Sequence, residues 1–234
     1  MQELLPEYKN LNWATPIRWF WRIFMPVCIL AALAIWGDAA IVQMVYEYRT
    51  VATHYLAINI SKLANPQFYA IPALGIYVAS LIALSISFLQ PWKLLLERLV
   101  RQSLLMLLAL LTGGLVTFAL KHIVARGRPT LLLESEFYGI SMSFTGAPFN
   151  SFPSSHAFTA FGVAFALANI MPVWRVPLLL AASMVGMSRV IALEHFLSDV
   201  VASAFIAAWC VNIWSARIRQ SNWALRQPWR WYRG

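Results

Sequence analysis

The sequence predicts an all-α fold, a six-transmembrane-helix bundle with a polar functional site at its outer membrane-surface end. Three observations carry that reading. Hydrophobic residues make up 60% of the chain and charged residues 12%, whereas a soluble domain carries about 25% charged residues. The apolar residues fall in blocks of about 20, the length that crosses a bilayer as a helix. The 18 lysines and arginines are also segregated on a six-span layout, twelve on one side and six on the other.

Residues 1–24 carry Lys9, Arg18 and Arg22 beside Trp13, Trp19, Phe20 and Trp21, the mixture of cations and rings that marks a cytoplasmic interface. The first apolar run, 25–46, is interrupted by Asp38 and Gln43, so this span ends near Gly37 or tilts. Ala32-Leu33-Ala34 resembles a leader-peptidase site, but an uncleaved span is preferred, because cleavage would leave an odd topology. Residues 47–66 are mixed and read as an outer connection with room for an interfacial helix. The second span is 68–89. Pro91, Lys93, Glu97, Arg98 and Arg101 form an inner loop. The third span, 104–120, delivers Lys121 to the far surface, and 126–152 is the longest polar connection. The fourth span is 157–171, with an inner turn after it at Pro172, Arg175 and Pro177. The fifth is 178–193, with Arg189 near its outer end, and the sixth is 200–216. The tail interleaves Arg217, Arg219, Arg226, Arg230 and Arg233 with Trp223, Trp229, Trp231 and Tyr232. Cys28 and Cys210 lie in apolar runs and read as small buried hydrophobes.

Charge then sets orientation. The net charge of +9 reflects a cytoplasmic excess of Lys and Arg, which places both termini inside. No soluble basic domain exists to bind nucleic acid. Four of the six cations on the other side, Lys121, Arg126, Arg128 and Arg189, belong to the three polar islands, two of which hold them all, and alternating spans bring the islands to one face, the outer one. The whole chain, 1–234, reads as a single integral membrane domain, with its motif-bearing core at about 104–216.

The islands carry the chemistry. Asn150-Ser151-Phe152-Pro153-Ser154-Ser155-His156 precedes an apolar run. Pro fits the first turn of a helix and Ser oxygens cap free N–H groups, so this run reads as a helix start. A helix start is an anion site, and His156 in its first turn can move a proton beside a bound anion. Lys121 and Arg128 stand seven residues apart, two turns of helix if the helix continues, although Gly127 and Pro129 suggest that it stops. His195 and Asp199 are spaced i, i+4, within hydrogen-bond reach on one helix face. A carboxylate on one imidazole nitrogen would free the other as nucleophile or base.

Together, Lys121 through Arg128-Pro129, Pro153-Ser154-Ser155-His156, and Ser188-Arg189 with His195 and Asp199 resemble the three-part signature of the type 2 phosphatidic acid phosphatase superfamily, in its membrane branch. The resemblance implies a mechanism. His195 attacks phosphorus and forms a phosphohistidine, while Asp199 orients the ring. Lys121, Arg128 and Arg189 neutralise the phosphoryl oxygens, and Ser154, Ser155 and the first-turn N–H groups complete the cradle. His156 protonates the leaving group. Water then cleaves the phosphohistidine. Protein cations do the work that magnesium does in nucleotide enzymes, so no cofactor and no metal are expected. The chain departs from the signature in three places. Ser155 stands where Gly is usual, Leu193 where Gly is frequent, and Glu194 is an added negative charge without an assigned place.

The implied partners are membrane lipids and a lipid phosphate or diphosphate: undecaprenyl diphosphate, phosphatidylglycerophosphate, phosphatidic acid or a lipid A phosphate. The implied location is a bacterial inner membrane with the site facing outward. A phosphotransferase would use the same phosphohistidine, and a non-catalytic lipid-binding or transport protein is the alternative outside catalysis. A metal site built from His156, His195 and Asp199 is disfavoured, because the adjacent cations would repel a metal ion. The soluble haloperoxidases of this fold are disfavoured by the spans.

Overall fold

The structure, a computed structural model, describes residues 14–141 and 146–220. Among these residues it is all-helical, with a single isolated bridge between Arg126 and Ile140. The helices are α1 (Ala14–Ala32), α2 (Asp38–Tyr48), α3 (Val51–Lys62), α4 (Gln67–Ala83), α5 (Lys93–Val124), α6 (Pro129–Ser135), α7 (Ser155–Ile170), α8 (Arg175–Ile191) and α9 (Leu197–Gln220).

Five of the resulting runs are long and apolar enough to cross a membrane: Ile23–Tyr48, Val51–Ala83, Ser87–Val124, Pro172–Ile191 and Leu197–Gln220. Leu111, Leu115, Phe118, Leu180 and Met184 are all more than 60% exposed on these helices. Backbone groups are satisfied within helices while apolar side chains point outward, which is the arrangement lipid requires. The chain is an integral membrane protein. The fourth expected span, 157–171, corresponds to α7, whose 16 residues give only about 24 Å of helix. It packs against α5, α8 and α9, so it is sheathed by protein rather than matched to the bilayer.

Several expectations need correction. The first span does not end near Gly37. A π turn at Leu33–Gly37 joins α1 to α2, and the helix continues to Tyr48. A π turn holds an extra residue, which rotates the later turns of the helix relative to the earlier ones. Ile35 and Trp36 face outward, while Asp38 is fully buried. Lys93 through Arg101 do not form an inner loop but the first turns of α5, where long basic side chains can reach the interface from a helix. Residues 47–66 contain α3, started by a reciprocal cap in which Thr50 and Thr53 each accept the other's backbone N–H. Cys28 is exposed on the outside of α1, and only Cys210 is buried. The residues beyond 220, with most of the aromatic and arginine-bearing tail, lie outside the described residues.

The core lies among α4, α5, α7 and α9, around Leu105, Ala109, Phe158, Val163, Ala207 and Val211. Two glycines permit the closest approaches. A Cβ on Gly113 would stand 2.3 Å from the Phe158 ring, and one on Gly186 would stand 2.6 Å from Val200. Small residues at such crossings are the usual means of helix association in lipid. Trp214 Nε1 donates to Thr112 Oγ1 at 3.0 Å and ties α9 to α5.

Candidate active site

The three islands meet where α5, α8 and α9 turn. Helix α5 stops at Val124 with Ala125 in the left-handed conformation, so Lys121 and Arg128 do not share a helix face. The stretch that follows, 125–128, ends in an extended Arg128 and is held on two sides by the loop after it. Gly127 N donates to Gly139 O and Ser141 N to Ala125 O, while Arg128 N donates to Pro148 O and Ser151 N to Arg126 O. These bonds fasten the second island against the first.

Asn150 collects two of the three cations of the first island. Lys121 Nζ donates to its carbonyl at 2.6 Å, and Arg128 Nε to its side-chain oxygen at 2.8 Å. Arg189, at the end of α8, donates to Ser61 Oγ of α3 at 3.0 Å, while its buried Nε has no partner among the described residues. The Glu194 carboxylate pairs with Arg128 and lies 3.8 Å from Arg189. The charge left without a place in the sequence thus sits between two cations. His156 lies within electrostatic reach of Arg189, His195, Lys121 and Glu194.

The second island does start a helix, with Ser154 rather than Pro153 at the boundary. Ser154 Oγ accepts from Ala157 N at 3.4 Å. The Ser154 side chain is fully buried in this capping role, and its carbonyl accepts from Ser203 Oγ at 2.9 Å. Ser155 is exposed in the first turn and His156 is half-buried beside it.

The nucleophile candidate is held differently from the expected pair. Helix α9 begins only at Leu197, so His195 precedes it and the i, i+4 spacing does not apply. His195 Nδ1 lies 3.8 Å from Asp199 Oδ2 but 2.6 Å from the Ser151 carbonyl. A carbonyl only accepts, so Nδ1 carries the proton and Nε2 keeps its lone pair. Nε2 has no hydrogen-bond partner among the described residues. Asp199 instead accepts from Ser151 Oγ at 2.6 Å, Phe196 N at 2.9 Å and Arg126 Nη1 at 2.7 Å. Burial pushes the His195 pKa below its ordinary value of 6.5, with Asp199 opposing that shift and Lys121 and Arg189 adding to it.

Two residues that carried no role in the sequence reading organise this centre. Arg126 is nine-tenths buried and bridges Asp199 to Asp38, at 2.7 and 2.8 Å. It also donates to Ser198 Oγ and Tyr138 Oη, and its guanidinium carbon stands 4.3 Å over the Phe196 ring. Asp38 accepts from the Ser198 backbone N–H at 3.0 Å and from its hydroxyl. Tyr138 Oη donates to the Ala34 carbonyl at 2.5 Å, within the π turn. The available signal was an ionisable residue inside an apolar span, which is functional by default. Leu193 adopts φ 58°, the conformation its glycine counterpart would favour. Strain of roughly 1–2 kcal/mol is offset by its burial against Val42 and Phe196. Among the described residues, no three His, Cys, Asp or Glu side chains cluster as metal ligands would.

The sequence model of the PAP2 superfamily matches residues 102–224. Curated relatives include the lipid A 1-phosphatases of Rhizobium johnstonii and Rhizobium etli. Both are 35% identical over 99 residues, which is 42% of this chain and 40% and 42% of theirs. The chain therefore spans about two fifths of the length of the curated relatives it matches. The crystal structure of Aquifex aeolicus LpxE is similar with a TM-score of 0.55 at 21% identity, covering 76% of this chain and 94% of that one. The PAP2-type phosphatidylglycerolphosphate phosphatase of Bacillus subtilis is similar with a TM-score of 0.59 at 20% identity, covering 86% and 96%. At such identities the two structures speak to the fold alone.

Removing the charge that faces Arg126 from α2 tests the centre. Asp38→Ala leaves a buried guanidinium short of one carboxylate, and breaking buried pairs costs about 3–5 kcal/mol. The expected result is a clearly lowered melting temperature in detergent, with Asp38→Asn between the two. Unchanged melting in Asp38→Ala would show that the bridge is idle.

Proposed function

The chain belongs to the PAP2 superfamily, and on that premise we propose that it is a membrane phosphatase acting on a lipid phosphate or diphosphate. The observation that supports this most is the joining of Lys121, Arg128 and Arg189 with a buried histidine whose Nε2 is unprotonated. Among the four candidate lipids, the names of the curated relatives favour a lipid A 1-phosphate. The reaction domain is the whole of 1–234 around its 104–216 core. Both termini face the cytoplasm and the site faces outward from a bacterial inner membrane, a reading supported by the cation asymmetry.

In this reading His195 Nε2 attacks phosphorus in line, the N–P bond forms and the bond to the leaving oxygen breaks. His156 gives that oxygen a proton. Lys121, Arg128 and Arg189 meet the developing charge on the peripheral oxygens, where fixed donors stabilise a transition state most. Ser154 acts by capping α7, so that the free N–H groups of its first turn, including that of Ser155, face the anion. As His195 gains positive charge, the Ser151 carbonyl holds its Nδ1 proton and Asp199 stabilises the ring from 3.8 Å. Water then attacks the phosphohistidine and orthophosphate leaves.

Purified full-length protein should release orthophosphate from one or more of these lipids in excess chelator, and vanadate should inhibit it. Complete loss on chelation, restored by a divalent ion, would contradict the mechanism. His195→Ala should abolish turnover of every substrate. His156→Ala should lose about 10²–10⁴-fold on a lipid phosphate but far less on a nitrophenyl phosphate, whose leaving group needs no proton. Equal losses on both substrates would mean that His156 is not the acid.

The neutral form of His195 attacks, so activity is present above its folded-state pKa and is lost as pH falls through it. Because burial lowers that pKa, the acid limb of kcat/KM should lie below pH 6.5. An acid limb above that value would contradict a buried, neutral nucleophile.

A further inference from the structure

We propose that Glu194 is an internal competitor for the phosphate cradle: its carboxylate fills the cradle in the absence of substrate and must be displaced by any phosphate that binds, so that the abundant singly charged phosphodiesters of the bilayer are held more weakly than an open cradle would hold them. The inference rests on the phosphatase reading above and names a control on binding within it.

The Glu194 carboxylate pairs with Arg128 and lies 3.8 Å from Arg189 through the same oxygen, Oε2. It also lies within electrostatic reach of Lys121 and His156. An acidic side chain among these groups occupies the ground that the substrate phosphate needs. It fills that ground incompletely, since Arg189 Nε is buried and has no partner among the described residues. A carboxylate that turns one oxygen to both arginines leaves that donor unmet, whereas a terminal phosphate offers three peripheral oxygens and the larger charge. The side chain is 37% exposed, so it has room to swing aside. It adjoins His195 in the chain and therefore stays close enough to return when the product leaves.

The surroundings give this arrangement a purpose. Bulk phospholipid headgroups are phosphodiesters with one negative charge on phosphorus. A cradle of Lys121, Arg128 and Arg189 with no internal anion would collect them at the bilayer surface, where they are concentrated. With Glu194 seated, an entering group must bring enough charge and enough oxygens to displace it. A site whose competent state is populated a tenth to a third of the time binds roughly 3–10-fold more weakly than a permanently open one.

The test uses the full-length protein in mixed micelles, with phosphatidylglycerol as the diester anion and orthophosphate as a free ligand. In Glu194→Gln, phosphatidylglycerol should become a stronger competitive inhibitor of lipid phosphate hydrolysis, its Ki falling roughly 3–10-fold. The orthophosphate Kd from calorimetry should fall with it, and the change should appear in KM rather than kcat. Glu194→Asp keeps the charge and should stay close to the wild type. A carboxylate that merely braced the arginines would give the opposite sign, with weaker binding and a higher KM in Glu194→Gln. Unchanged or weakened inhibition by phosphatidylglycerol, with turnover intact, would overturn the role of Glu194 alone. Absence of turnover and of orthophosphate binding in every form would overturn the phosphatase reading and this proposal together.

Discussion

Arg126 lies between Asp38 and Asp199 and so joins parts of the chain that are far apart in sequence. Asp38 belongs to the first helical run, Asp199 to the start of α9, and Arg126 to the turn after α5. A buried guanidinium must keep its partners, because an unpaired charge in a low-dielectric interior is far more costly than an unpaired neutral group. The bridge thus makes the position of the first helix conditional on the position of the third island. It also sets the Asp199 carboxylate, which holds Ser151 by its hydroxyl, while the Ser151 carbonyl sets the His195 ring. The chain of contacts ends at an imidazole whose Nε2 keeps its lone pair, within electrostatic reach of Lys121 and Arg189.

The membrane explains why so much polarity is gathered at one end. Ionisable groups are expensive along a lipid-facing helix, so the spans keep their outward faces apolar and deliver charge to their ends. Lys121 sits in the last turn of α5, Arg189 in the last turn of α8 and Asp199 in the first turn of α9. The connecting backbone is then stitched together by the 125–128 stretch and the later loop that bonds to it on two sides. Close crossings at Gly113 and Gly186 draw the helices near enough for these short turns to meet.

Much of this was legible because its causes are local. Apolar blocks of spanning length give helices whatever their neighbours, and the polar islands marked the ends of those helices, where charged side chains gather. The features that escaped depended on partners distant in sequence. Asp38 and Arg126 are 88 residues apart, and neither shows its partner in a local pattern. Asp38 in an apolar run looked like the end of a span, since the π turn that aims it inward has no clear signature in Leu33–Gly37. The i, i+4 pairing of His195 with Asp199 assumed that the helix already includes His195, whereas α9 begins two residues later and the ring bonds to a backbone carbonyl 44 residues away. The inner loop expected at Lys93–Arg101 failed for a related reason, because charge marks where a helix leaves the lipid and not where it ends. Glu194 could be seen as an extra charge, but its position between two arginines needed the turn at Leu193.

The central claim is that His195 Nε2 is the atom that attacks phosphorus, and trapping the covalent intermediate tests it most directly. Full-length protein would be mixed with substrate labelled in the scissile phosphate, quenched in alkali within the first turnover, and mapped by mass spectrometry. The account predicts a phosphoryl group on His195 that survives base, is lost in acid and is absent from His195→Ala. Label on any other residue, or turnover with no label on His195 under conditions that preserve phosphohistidine, would contradict it.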